Sequence, residues 1–156
     1  METKLVAMLL EKFKFLENKI RVQRVRRISA EVDAAHFEEV LLYALHALQF
    51  TMLCTITGLD EEGTFAFIYH MAREDGIILN LKTRIPKETP VIKTITHYFP
   101  NAEIYEREIA DLLGVKLDGL LEGNRYPLPD DWPQGEYPLR KDWKSKKQKG
   151  TSGTNA

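Results

Sequence analysis

The sequence predicts an α+β fold, in which a two-layer domain with a mainly antiparallel sheet of about four strands packs against helices and runs on into an extended C-terminal arm. Three observations carry that expectation. Apolar residues recur at helical spacing through residues 37–48, alternating segments separated by short turns fill residues 50–85, and all periodicity dissolves after Gly114.

Residues 4–20 read as an amphipathic helix, because Leu5, Leu9, Phe13, Leu16 and Ile20 share one face while Glu11, Lys12 and Glu17 lie away from it. The basic stretch Arg21–Arg27 leads into a strand where Ile28, Ala30 and Val32 alternate with Arg27, Ser29 and Glu31. Asp33 stands where the next helix needs an N-cap. In that helix Phe37, Val40, Leu41, Ala44, Leu45 and Leu48 form a core-facing stripe. Phe50, Met52, Cys54 and Ile56 then alternate with threonines and Leu53, giving a strand. A turn at residues 60–63 reverses the chain into a second strand at 64–71, and Asp75-Gly76 is a hairpin signal ahead of a third at 77–85. Thr89-Pro90 has the form of an N-cap followed by proline at the first helical position, which predicts a short helix through Tyr98. Asn101 is set to cap a last helix that stops at Gly114.

From Gly114 to Trp143 the chain holds Pro127, Pro129, Pro133 and Pro138 and shows no pattern. Such a run is uncommon inside a compact domain, and fully extended it spans roughly 100 Å. It carries Tyr126, Trp132, Tyr137 and Trp143, aromatic anchors suited to burial on another surface. The expected organisation is therefore an α/β domain at 1–114, a partner-docking arm at 115–143 and a disordered basic tail at 144–156.

Composition narrows the function. With 44% hydrophobic residues in 156, the chain can bury a real core. Net charge is −1, yet residues 140–149 carry six cations against Asp142, which leaves the remainder acidic. A basic tail on an acidic body points to an acidic protein or lipid partner. Cys54 is the only cysteine, so there is no internal disulfide, and an iron–sulfur cluster, which usually needs about four thiolates, finds no ligand set. The run Leu5–Leu10 is too short for a signal-peptide core, and no segment approaches the ~18 apolar residues of a membrane span. Any membrane contact is expected to be peripheral, made through partners.

Catalytic signals are weak. His36, His46, His70 and His97 lack metal-ligand spacing, and His36 and His46 sit roughly 280° apart around one helix. No glycine-rich phosphate loop follows a strand. The segment Glu106-Arg107-Glu108 lies on a helix whose apolar arc is Ala102, Tyr105, Ile109, Leu112 and Leu113. Arg107 and Asp111, spaced i, i+4, are placed to pair across its exposed side. Glu106 borders the apolar arc and wants a cationic partner, for which Arg125 and Arg140 of the arm are the candidates. A carboxylate clamping the returning arm is the expected result. Paired carboxylates also serve glycoside hydrolysis, but no sugar-stacking pattern accompanies these. Phe65-Ala66-Phe67-Ile68 is similar to the aromatic strand of an RNA-recognition module, although Thr64 stands where glycine belongs and three acids lie just upstream. No nucleic-acid partner is expected.

The run Glu106-Arg107-Glu108-Ile109-Ala110-Asp111-Leu112-Leu113-Gly114-Val115, with Leu117-Asp118-Gly119 after it, resembles the signature of the complex I 30 kDa subunit family. Pro129-Asp130-Asp131-Trp132 and Pro138-Leu139-Arg140-Lys141-Asp142-Trp143 are similar to that family's later blocks in order and approximate spacing. Leu120-Leu121-Glu122-Gly123-Asn124-Arg125 stands where the family usually has His-Pro and a basic run, and Trp143 where Phe or Tyr is commoner. These departures fit the related subunits of membrane-bound group 4 nickel–iron (NiFe) hydrogenases and their sulfur-reducing relatives. The resemblance implies a non-catalytic subunit with no cofactor of its own, on the cytoplasmic face of the membrane. Its partners would be the large hydrogenase-like (49 kDa-type) subunit and the iron–sulfur small subunit, which hold the iron–sulfur clusters and the NiFe or quinone chemistry of an ion-translocating complex. An NADH:quinone oxidoreductase subunit proper is the neighbouring alternative, and a small RNA-binding module is the alternative of another class. Glu106, Arg107, Glu108, Asp111, Gly114, Arg125, Tyr126, Asp131, Trp132, Pro138, Leu139, Arg140, Lys141, Asp142 and Trp143 would then be structural or partner-binding groups.

Overall fold

The computed structural model describes residues 1–145. Of the expected basic tail, only Lys144 and Ser145 fall among them. Helix α1 (Glu2–Lys12) and a short 3-10 turn (Lys14–Leu16) open the chain, followed by strands β1 (Ile20–Arg24) and β2 (Arg27–Glu31). Helix α2 (Ala34–His46) leads into β3 (Met52–Asp60), β4 (Thr64–Ala72) and β5 (Ile78–Pro86). A second, smaller sheet pairs β6 (Val91–Lys93) with β7 (Lys116–Asp118) on either side of α3 (Ala102–Leu113).

The main sheet has five strands in the order β1-β2-β5-β4-β3. The β3-β4-β5 meander is antiparallel as expected, but β2 joins it parallel to β5, Arg27 opposite Ile78 and Glu31 opposite Lys82. α2 is the crossover that this parallel pairing requires. It lays Phe37 against Tyr69 of β4, ring centroids 4.5 Å apart, with Val40, Leu41 and Ala44 buried beside it. Phe13, just past α1, meets Tyr43 of α2 edge-on at 5.4 Å, so α1 joins the same layer. α3 covers the β3 end of that face. Gly58 of β3 permits the approach, since a Cβ there would lie 2.8 Å from Leu113 Cδ1.

Several expectations are corrected. The helix expected at 4–20 ends at Lys12, because Phe13 is non-helical and Asn18 takes φ 64°, and β1 begins at Ile20 and takes in the first part of the basic stretch. The helix expected after Thr89-Pro90 is strand β6, whose Ile92 turns inward opposite Leu117 of β7. The β-branched Val91, Ile92, Thr94, Ile95 and Thr96 suit a strand better than a helix. Neither Asp33 nor Asn101 caps through its side chain. Asp33 accepts from Lys19 Nζ at 3.1 Å, and Asn101 Nδ2 donates to the Leu53 carbonyl at 2.9 Å. Gly114 does close α3, at φ 70°.

Phe65 and Phe67 are fully buried on the helix-covered face. The opposite face presents Thr57, His70 and Asn80, joined by hydrogen bonds of 3.0 and 2.8 Å, beside an ion-pair network of Lys82, Arg84, Glu61 and Glu31. RNA-recognition sheets stack bases on exposed aromatics. Here those rings are core, and the RNA-binding alternative loses its platform.

Candidate interaction surface

Helix α3 organises the site, since residues of the first and third sequence blocks meet on it or at its C-terminus and the second is tied to it through Arg125. Glu106 is completely buried. Its two oxygens accept from the Thr94 hydroxyl at 2.5 Å and the Ile95 N–H at 2.8 Å, stapling the segment after β6 to the helix. Burial pushes its carboxyl above the ordinary 4.5, and those two hydrogen bonds recover part of the shift. Among the described residues, no hydrogen bond or ion pair joins the arm to it. The carboxylate that holds the arm is Asp111, which accepts from Arg125 Nε at 3.0 Å and from the Leu128 N–H at 3.2 Å. Arg125 also donates to the Trp132 carbonyl at 2.8 Å.

The clamp therefore exists on a different carboxylate from the one expected. The same occupancy removes the expected Arg107–Asp111 pair. Arg107 turns the other way along the helix to Glu103, 2.8 Å away, and donates to the Leu121 carbonyl at 2.9 Å. Glu108 is exposed at the opposite border and has no ion-pair partner among the described residues. With Glu106 buried and both its oxygens engaged, the two glutamates do not form an acid–base pair facing a common cleft.

A second latch lies at the C-terminus of α3. Arg140 Nε donates to the Leu113 carbonyl at 2.7 Å, satisfying one of the helix's terminal acceptors with a cation where the helix dipole favours one. Its guanidinium stacks 4.6 Å from the Tyr137 ring centroid and 5.2 Å from that of Phe65. The Tyr137 ring lies against Gly114, where any Cβ would collide with it. Leu139 N–H donates to the Leu112 carbonyl at 3.1 Å, yet its side chain is 53% exposed. Lys141 N–H reaches Asp60 at 2.9 Å, and Lys87 bridges Asp60 at 2.7 Å and Asp142 at 3.2 Å. Burial would raise the Asp60 carboxyl, but Lys87 and the N–H groups of Lys141 and Glu62 outweigh it and hold the group below the ordinary 3.8.

The two tryptophans are half-buried and face each other, 6.0 Å between centroids. Trp132 Nε1 donates to the Glu136 carbonyl at 2.9 Å. Tyr126 and Asp131 are exposed, and Pro138 is half-buried. The segment expected to dock on a partner is thus tied first to its own domain, by Asp111, by Asp60 and by the end of α3. Asp60, Lys87 and Thr94 escaped the sequence reading, and Tyr137, expected as an anchor for another surface, lies instead against Gly114 and Arg140. Asp60 was visible only as one of three turn acids, and Lys87 and Thr94 lie in no pattern that marks them.

Among the described residues, no cluster of three or more histidine, cysteine, aspartate or glutamate side chains is placed to hold a metal ion. No helix there is long and apolar enough to cross a membrane.

Residues 30–149 match the family model described as respiratory-chain NADH dehydrogenase, 30 Kd subunit. The chain is 38% identical over 120 residues to an F(420)H(2) dehydrogenase subunit of Methanosarcina mazei, covering 75% of each protein. It is 37% identical over 105 residues, 67% of its length, to an NADH-quinone oxidoreductase subunit of Shewanella oneidensis, and spans only 17% of that longer protein. Among solved structures it superposes on a chain of the membrane-bound sulfane sulfur reductase, an archaeal respiratory membrane complex. That match has a TM-score of 0.82 at 30% identity and covers 92% of this chain and 85% of the other. On the extent of the family match and the shared fold, this chain belongs to the 30 kDa subunit family of respiratory-chain NADH dehydrogenase.

Proposed function

We propose that this chain is a non-catalytic peripheral subunit of a membrane-bound, multisubunit oxidoreductase of the group 4 NiFe-hydrogenase or complex I type. It binds and stabilises the large hydrogenase-like (49 kDa-type) subunit beside the iron–sulfur small subunit, on the cytoplasmic face. The redox groups reside in those partners, and electron transfer coupled to ion translocation is the activity of the assembly. The observation that carries this reading is the use made of the family blocks. Glu106, Asp111 and Arg140 of those blocks, and Asp60 beside them, spend their polar groups on backbone N–H and carbonyl groups and on Thr94, Arg125 and Lys87, which builds a shaped surface and leaves no reacting constellation among the described residues. The membership of its relatives in respiratory dehydrogenases and in a sulfur-reducing membrane complex supports the same conclusion.

Affinity purification of the tagged chain from gently solubilised membranes tests it. The large and iron–sulfur subunits are expected to co-purify, and their nickel, flavin or quinone content identifies the complex. Recovery of the chain alone, folded and without partners, would overturn the reading. Protease protection in sealed vesicles of both orientations tests the cytoplasmic placement.

A further inference from the structure

The two edges of the five-stranded sheet are built differently. β1 is five residues long and carries Arg21 and Arg24, with Arg26 and Arg27 at its turn. Short length and clustered charge are the usual protection of an exposed edge against an incoming strand. β3 at the other edge is nine residues long and has no lysine, arginine, glutamate or proline. Its one acid, Asp60, is turned onto Lys87.

The N-terminal end of β3 is closed off. The register slips at Cys54, and the carbonyls of Leu53 and Cys54 are taken by Asn101 Nδ2 and the Tyr105 hydroxyl at 2.9 and 2.8 Å. From Thr55 to Leu59, no backbone hydrogen bond among the described residues reaches the strand from its outer side. Beside this stretch runs a groove of about 290 Å³, lined by Ile56, Ile109, Leu112, Leu113 and Leu139, with Glu108 on its rim. An unpaired edge next to an apolar helix-walled groove is the arrangement that strand addition uses. Main-chain pairing supplies affinity there, and alternate side chains supply selectivity.

We propose that residues 55–59 of β3 form a strand-addition site for an extended segment of a partner subunit. That segment places small apolar side chains in the α3 groove and a lysine or arginine beside Glu108. The proposal rests on the reading of the chain as a subunit and deepens it. Charge decides between a partner and a second copy of this chain. β3 supplies no cation to answer Glu108, so two such edges brought together would each leave that carboxylate unmatched.

Hydrogen–deuterium exchange tests it, comparing the full chain alone with the chain in the complex purified from membranes. Peptides covering 52–60 should exchange at least about tenfold more slowly in the complex, because the outward amides of an edge strand are otherwise open to water. Leu139→Asp, at the exposed mouth of the groove, should lower recovery of the large subunit severalfold while the chain keeps its circular dichroism. If the partners co-purify but 52–60 exchanges as in the free chain, the site is refuted and the subunit reading stands. If no partner co-purifies, both fail. If the isolated chain protects 52–60 as its concentration rises and sediments as a dimer, the edge pairs with itself and the partner assignment is overturned.

Discussion

Replacing Glu106 separates its hydrogen-bonding role from its charge. In Glu106→Ala the Ile95 N–H loses its one acceptor among the described residues, in a buried site, at a cost of about 1–3 kcal/mol. Thr94 suffers less, because its hydroxyl keeps contact with Thr96 at 2.9 Å. Adding the void left by the deleted side chain brings the expected loss to about 2–4 kcal/mol. Glu106→Gln keeps an acceptor for Ile95, and the Thr94 hydroxyl can rotate to accept from the new amide. At neutral pH it should therefore fall within about 1 kcal/mol of the native chain.

The pH dependence follows from the raised carboxyl. A group whose folded value lies above its ordinary 4.5 favours the folded state when protonated, so native stability falls as pH climbs from 4.5 through the folded value. Glutamine has no such dependence, so its stability relative to native should improve over that interval and then level off. Urea denaturation followed by far-ultraviolet circular dichroism, repeated between pH 4 and neutrality, measures both effects. An alanine cost under about 0.5 kcal/mol would refute the stapling role of Glu106. A glutamine variant that loses ground as pH rises would refute the burial argument.

Asp111→Ala should release the middle of the arm and raise proteolytic nicking between residues 122 and 130 while the domain's circular dichroism stays unchanged; unaltered cleavage would show that Arg125 and Leu128 are held elsewhere. Gly114→Ala forces a side chain into φ 70° and into the Tyr137 ring, so it should cost about 1–2 kcal/mol from the backbone alone. Pairing it with Tyr137→Ala in a double-mutant cycle should recover the steric part, and strict additivity would exclude the contact. The Asp60 latch has the opposite sign to Glu106. Its carboxyl lies below 3.8, so its contribution is complete above that value and is lost as pH falls through the folded one. Tryptophan fluorescence from the arm should stay constant down to about pH 4 and shift only in stronger acid, a dependence that Asp60→Asn abolishes.

Elements with one buried face were legible in the sequence, and elements defined by a distant partner were not. α2 and α3 declare themselves because their apolar stripes must meet a single sheet, and Gly114 marks the end of α3 by the left-handed backbone shape that glycine adopts without steric cost. β1 is hidden because four of its five residues face solvent, so nothing compels alternation and the arginines read as a loop. β6 exists only because β7 lies beside it, 25 residues downstream by the Val91–Lys116 register. The parallel β2–β5 contact joins segments about fifty residues apart, and no local rule encodes it. At the site, helical spacing put Glu106 on the sheltered side of α3. It could not tell that the Thr94 hydroxyl and the Ile95 N–H after β6 would satisfy it, which left the arm's arginine to Asp111.

The arm is fastened at both extremities, by β7 where it departs and by the Asp60–Lys87–Asp142 bridge where it ends. A tether with one free end loses most of its conformational freedom when it meets a target, and that loss is subtracted from the binding energy. A loop buckled at both ends has surrendered much of that freedom during folding, so docking forfeits less. On the proposed subunit role, the exposed Leu121, Tyr126 and Leu139 of this fastened arm would act as a stencil, selecting a counterpart by contour rather than by reach. Because its outer buckle is an ion pair with Asp142 68% exposed, rising salt should loosen the stencil before it melts the domain.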